Sequence, residues 1–180
     1  MKWLLWRPLW WMALMVLSDQ LIKIWIRLEV PLYRSTVWVP GFLELTHVEN
    51  RGVSFSVMST LSEAWRVPLL SGISLAVMAV LVVFWVKEKP QMNLWMEAGF
   101  MMVLAGATGN LIDRSIYGTV TDYWHFLLAG KSLFVNNLAD VYISAGVVAY
   151  AWGGWLAHRQ QMAEQAAQKA GSTPPEDPPA

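Results

Sequence analysis

Val67-Pro68-Leu69-Leu70-Ser71-Gly72-Ile73-Ser74-Leu75-Ala76-Val77-Met78-Ala79-Val80-Leu81-Val82-Val83-Phe84-Trp85-Val86 is a run of 20 residues without a charge. A helix crossing the hydrocarbon layer of a bilayer needs about 20 mostly apolar residues, so the run reads as a membrane span. On its C-terminal side, residues 98–112 form 15 uncharged residues that lengthen to a span when Glu97 is placed at the end, and residues 141–157 form 17 more directly after Asp140. On its N-terminal side, residues 3–28 are apolar but carry Arg7, Pro8, Asp19 and Lys23. The expected fold is an all-α membrane protein with four transmembrane helices.

Composition agrees. Of 180 residues, 56% are apolar and 14% charged, with a mean hydropathy of +0.37. Soluble domains run near 25% charged. The balance excludes an ordinary soluble globule, a disordered chain and a nucleic-acid binder built on a basic patch. Twelve Trp residues suit membrane interfaces, where an amphipathic ring lies half in lipid. Thirteen basic residues balance thirteen acidic ones, so net charge names no partner. The absence of cysteine excludes disulfides, a thiol nucleophile and thiolate metal sites.

Three connections join the spans. The first, 29–65, alternates around Val37, Val39, Leu43 and Leu45 and holds Pro40-Gly41, so it reads as short strands and turns. The second is the charged turn Lys87-Glu88-Lys89-Pro90-Gln91; the third, from Asp113 to about Val135, contains Gly118, Gly130 and further strand-like residues. The expected layout is a four-helix membrane unit over 1–158 and a tail over 159–180 that begins helical and polar and ends Pro-rich and disordered by composition. The first apolar segment has the Lys2 and Arg7 of a signal peptide, but Ser18-Asp19-Gln20 follows where a small-x-small cleavage site would stand. It reads as a retained helix. Basic residues divide six to six between the two sides, more densely with the termini, and lean towards cytoplasmic termini.

Ionisable groups in spans are costly and usually functional. Asp19, Asp113, Asp122 and Asp140 all fall towards the membrane face that bears the long connections. Asp19 and Lys23, four apart on a helix, can be a structural ion pair. Asp113 beside Arg114 can be an interfacial pair or a turn cap. Asp140 can be a helix cap. Asp122, among Val120, Tyr123, Trp124 and Phe126, has no such structural reason. Two neighbouring carboxylates cannot easily both ionise, so Asp122 and Asp140 suggest acid–base hydrolysis: one takes a proton from water while the other donates to a carbonyl oxygen. Asn50, Asn110 and Asn137 can donate hydrogen bonds around a peptide, or serve as turn and cap residues. His47, His125 and His158 are scattered without a His-Glu-x-x-His motif, so no metal site is expected.

Five blocks in order resemble the signal peptidase II (lipoprotein signal peptidase) family, the membrane aspartic proteases of bacteria. They are Asp19-Gln20-x-x-Lys23; Val39-Pro40-Gly41-Phe42 leading to Asn50-Arg51-Gly52-Val53-Ser54-Phe55; Gly109-Asn110-Leu111-Ile112-Asp113-Arg114; Gly118-Thr119-Val120-Thr121-Asp122-Tyr123; and Asn137-Leu138-Ala139-Asp140. Where the family usually has Val-Val-Asp-Phe this chain has Val120-Thr121-Asp122-Tyr123, and Asn136 stands where Phe is usual.

The resemblance implies a catalytic dyad of Asp122 and Asp140, a substrate site lined by Asn50, Asn110, Arg114 and Asn137, and structural support from Asp19, Lys23, Gly52 and Asp113. It implies no cofactor. The implied substrate is a prolipoprotein whose lipobox cysteine carries diacylglycerol, cut just before that cysteine. Membrane lipids surround the site, the 29–65 connection forms a β-rich extracytoplasmic cradle, and the cyclic peptide globomycin inhibits. The implied location is the bacterial inner membrane, with cytoplasmic termini and the dyad at the outer face. Two other readings remain: a non-catalytic or specialised paralogue, and a proton-coupled small transporter. The transporter reading expects acids spread through the membrane depth and inverted repeats.

Overall fold

The computed structural model describes residues 2–52 and 62–171. In chain order its elements are α1 (Lys2–Glu29), β1 (Ser35–Val39), β2 (Leu43–Asn50), α2 (Glu63–Glu88), a 3-10 turn (Lys89–Gln91), α3 (Leu94–Tyr117), β3 (Val120–Leu128), β4 (Lys131–Asn136) and α4 (Leu138–Gly171). Each expected apolar segment is a helix, and each long connection holds two strands. Val53, Ser54 and Phe55 of the second block, and the Pro-rich end of the tail, lie outside the described residues.

The strands make one antiparallel sheet in the order β1-β2-β3-β4. Thus two hairpins far apart in sequence join through β2 and β3. Register shifts interrupt the β2–β3 ladder between Leu45 and Val48 and the β3–β4 ladder between Phe126 and Leu127. Such bulges re-aim side chains. His125 links three strands: its Nδ1 meets Glu44 Oε2 at 3.0 Å and its Nε2 meets Ser132 Oγ at 2.8 Å.

α3 is the central helix. It contacts α1, α2 and α4, and glycines let α4 approach closely. A Cβ built on Gly99 would stand 2.5 Å from the Gly146 carbonyl oxygen, and one on Gly146 would meet the Gly99 carbonyl equally closely. A Cβ on Gly106 would collide with the Ala139 carbonyl at the start of α4. Small residues that let backbones touch are a common way to pack helices in lipid, where hydrophobic burial between helices drives little.

Polarity is distributed inside out. Asp19, Lys23, Asp113 and Asn137 are all 0% exposed. By contrast, Leu14, Leu17, Leu21, Val80, Val83, Val147, Val148 and Trp152 are exposed. Water would penalise that surface, whereas a lipid surrounding suits it. Among the described residues, two helical segments, Leu9–Glu29 and Ala64–Gln91, are long and apolar enough by composition to cross a membrane. α3 and α4 carry the glycines and polar residues of the interior, which dilutes their apolar character.

One boundary differs from the sequence reading. Asp113 and Arg114 were expected just beyond the third apolar helix, but α3 continues through both to Tyr117 and stops at Gly118. Gly118 adopts φ +73°, a left-handed C-cap that strongly favours glycine. α4 continues well past His158, so the start of the tail extends the same helix.

Candidate active site

Asp122 lies in β3, whose inward face meets α3 and the start of α4. Its Oδ2 accepts from Asn50 Nδ2 at 2.9 Å, and its Oδ1 accepts from Asn137 Nδ2. Asn50 ends β2 and is held by its other end: its Oδ1 accepts from the Gly52 amide at 2.9 Å. Gly52 has φ +72°, a conformation that a side chain would strain.

Asn137 immediately precedes α4 and caps it. Its Oδ1 accepts from the Asp140 amide at 3.0 Å, the usual bond from an N-cap side chain to the third helical residue. An amide side chain has an acceptor end and a donor end. Asn137 uses one for the Asp140 backbone and the other for the Asp122 carboxylate, so the two aspartates are tied to a single residue.

Asp140 is held from the opposite side by α3. Asn110 Nδ2 donates to Asp140 Oδ1 at 2.8 Å, while Asn110 Oδ1 accepts from Lys23 Nζ at 2.9 Å. The lysine therefore sets which end of the Asn110 amide faces Asp140. Lys23 Nζ also lies 2.9 Å from Asp19 Oδ2 and 3.6 Å from Asp113 Oδ2, with all three side chains fully buried. Buried charges need such partners. Asp113 Oδ2 accepts from the Thr121 amide at 2.9 Å, one residue before Asp122. Asp19 Oδ1 accepts from the Ala139 amide at 3.0 Å, one residue before Asp140. Each aspartate of the candidate pair thus follows a residue whose backbone is anchored on a buried carboxylate.

Arg114 is half-buried one turn beyond Asn110, near enough for its guanidinium to attract Asp140, Asp122 and Asp113. Burial is the main reason that the Asp122 carboxyl is pushed up to about 6. The hydrogen bond from Asn50 opposes this, the charge of Asp140 adds to it, and Asn137 and Lys23 oppose it again. The arrangement can keep a proton on a carboxyl in moderately acidic solution, next to a second carboxyl that is less buried.

Asp19, Lys23, Asn50, Asn110, Asp113, Asp122, Asn137 and Asp140 therefore join one hydrogen-bonded network, with Arg114 alongside and Gly52 turning the chain beneath Asn50. The sequence reading missed three members. Arg27 Nη2 pairs with Asp113 Oδ1 at 2.8 Å, and its guanidinium lies 3.8 Å from the Tyr117 ring centroid. Asp19, Lys23 and Arg27 are spaced four apart, so they share a helix face, a signal that could have found it. Gln20 Nε2 reaches Asp19 Oδ2 and the Gly109 carbonyl, each at 3.1 Å. Tyr123 places its hydroxyl on the Leu138 amide at 3.0 Å, for which the sequence offered no signal. His47 bonds the Val30 carbonyl at 2.8 Å, and no cluster of three or more His, Asp or Glu groups suited to a metal occurs among the described residues.

The chain is similar to known proteins over most of its length. The family model described as signal peptidase (SPase) II matches residues 11–156. A lipoprotein signal peptidase of Cyanothece sp. is 37% identical over 93% of this chain and 94% of its own length. One from Streptococcus pneumoniae is 31% identical over 75% of this chain and 83% of its own. A solved bacterial membrane enzyme superposes with a TM-score of 0.69 at 27% identity, covering 79% of this chain and 88% of that one. A match across almost the whole network, from α1 through α4, shows that this chain belongs to the signal peptidase II family of peptidases.

Proposed function

We propose that the chain is an aspartic endopeptidase of the bacterial inner membrane that removes the signal peptide from prolipoproteins, cutting before the diacylglyceryl cysteine. The observation that carries this reading is the double engagement of Asn137, which links the Asp122 carboxylate to the Asp140 backbone. The family's activity supplies the substrate class. On this reading α1 to α4 all cross the membrane, residues 1–158 form the peptidase unit and 159–180 a cytoplasmic tail. Both termini lie in the cytoplasm, and the sheet covers the site at the outer face.

The chemistry follows from the two carboxyl environments. Asp140 takes a proton from a water molecule whose oxygen attacks the scissile carbonyl carbon. Asp122 gives its proton to the carbonyl oxygen. The tetrahedral intermediate then collapses, the C–N bond breaks, and the cysteine nitrogen leaves with a proton from the dyad. Asn50, Asn110, Asn137 and Arg114 orient peptide and carboxylates. Fixing the substrate's lipid in the bilayer confines the scissile bond to the depth of the dyad, which aids positioning. Globomycin, as a cyclic peptide, competes for the same place.

Purified protein with a precursor peptide tests this directly. A diacylglyceryl-cysteine precursor is cut on the N-terminal side of that cysteine, read by mass spectrometry, while the same peptide with an unmodified cysteine is not cut. Equal cleavage of both peptides, or cleavage of neither, contradicts the proposal.

A further inference from the structure

A helix leaves its first amides without partners in the helix itself. In α4 each of the first three has one, supplied in turn by β3, by α1 and by the capping residue Asn137. The Leu138 amide donates to Tyr123 Oη of β3 at 3.0 Å. The Ala139 amide donates to Asp19 of α1, the Asp140 amide to the Asn137 side chain, and the Val141 amide to the Asn137 carbonyl at 3.3 Å. Tyr123 is 1% exposed and packs with Ile26 and Leu45. Its ring is therefore fixed by α1 and β2, and its hydroxyl stands at a set place. Tyr123 directly follows Asp122, and Leu138 lies two residues before Asp140. The phenol bond is thus a second direct tie, beside that of Asn137, between the segment bearing one aspartate and the helix turn bearing the other.

We infer that the Tyr123 hydroxyl is a positioning group for the reaction: by accepting the Leu138 amide it locks the first turn of α4 to β3 and sets the approach of Asp140 to Asp122. The tie rests on the peptidase reading only for its catalytic consequence. A phenylalanine at this position could not accept the bond. Burial holds the phenol well above its usual titration range, so it stays neutral and acts as a fixed dipole at all working pH values. The charged and titratable groups around the dyad are Asp19 and Lys23 of α1, Asp113 and Arg114 of α3, and Tyr142 of α4; none of them takes over the Leu138 amide.

Tyr123→Phe tests the inference in the full-length protein, with Tyr123→Leu as a second variant that also removes the ring. Three readings are expected for Tyr123→Phe. The Leu138 amide exchanges with solvent at least roughly tenfold faster, since the phenol that accepts it is lost. For the lipidated precursor, kcat falls about fivefold to tenfold with KM within about twofold, because a displaced Asp140 affects the chemical step rather than binding. The alkaline limb of the kcat–pH profile moves to lower pH, because a more distant Asp140 repels the ionised Asp122 less. Tyr123→Leu gives the same signature with lower thermal stability. Unchanged Leu138 exchange overturns the inference, as does a uniform loss of active protein with an unmoved pH limb. The exchange arm does not depend on activity: a parent protein inert towards the lipidated precursor sinks the peptidase reading, while the Leu138 amide still decides the tie.

Discussion

Asp140→Asn should reduce cleavage of the lipidated precursor by roughly three orders of magnitude or more while leaving the fold intact, because it removes a reacting group without removing a hydrogen-bond acceptor. Asp140 Oδ1 accepts from Asn110, and the carbonyl oxygen of an asparagine can accept the same bond. Asp122→Asn differs. Both oxygens of Asp122 accept from amide donors, Asn50 and Asn137, so an asparagine there must turn its own NH2 towards one of them. It should abolish activity to the same extent and also lower the unfolding temperature. The two variants measured together, for rate and for thermal stability, separate chemistry from architecture. Asp140→Asn retaining activity within about tenfold of the parent would remove Asp140 from the reaction.

Lys23→Met should be the most destabilising single change in the buried network. The lysine is the direct counter-charge of Asp19 and lies 3.6 Å from Asp113 Oδ2, all three side chains being without solvent contact. Removing one partner of a buried ion pair leaves an uncompensated charge and costs about 3–5 kcal/mol. Arg27 can still neutralise Asp113 from the Oδ1 side, so the residual burden falls mainly on Asp19. The variant also frees the Asn110 amide to rotate, since its Oδ1 loses the lysine donor, and activity should fall with stability. Adding Asp19→Asn to Lys23→Met removes that orphan charge and should restore part of the lost stability. Thermal unfolding of the parent, the single and the double variant decides the point, and a single variant as stable as the parent would contradict it.

The helices were legible in sequence because runs without charge are rare outside membranes, and strands showed through alternation around Val37, Val39, Leu43 and Leu45. The end of α3 was not. Asp113 and Arg114 mark a break in apolarity, but they point into the protein rather than into water, so the helix continues until Gly118 supplies a left-handed residue. At the site, the anomaly of Asp122 was visible because a carboxylate among aromatic and branched residues lacks a cheap structural reason. Asn137 had two alternative readings, cap or hydrogen-bond donor, and the structure uses both, one at each end of its amide. What sequence could not show was convergence. Asp19 lies 120 residues from the Ala139 amide it accepts, and Lys23 lies 87 residues from Asn110. No local pattern encodes such pairings; they arise because glycines bring α4 onto α3 and because α1 packs against both.

Asp19, Asp113, Asp122 and Asp140 gather together beside the sheet rather than in a line along the helices as a proton pathway would need. That disfavours the transporter reading. The hydrogen bonds that Asn50, Asn110, Asn137 and Lys23 make around Asp122 and Asp140 equally disfavour a fold without chemistry.

On the proposed function, Asp122 and Asp140 act as one unit that keeps a proton in reserve. For a carboxyl whose folded pKa is raised, the protonated form is the one the fold favours. Its contribution to stability is complete below the ordinary carboxylate range and is lost as pH rises through about 6. Carbon-13 NMR of aspartate carboxyl groups, with Asp122→Asn and Asp140→Asn for assignment, measures this in the unliganded protein. The expected result is a carboxyl signal titrating near pH 6 that disappears in Asp122→Asn and shifts to lower pH in Asp140→Asn, where the neighbouring charge is gone. If instead every aspartate has ionised by about pH 4.5, with no signal from Asp122 above it, the proton needed by the carbonyl oxygen is not held at the site, and the dyad mechanism is contradicted.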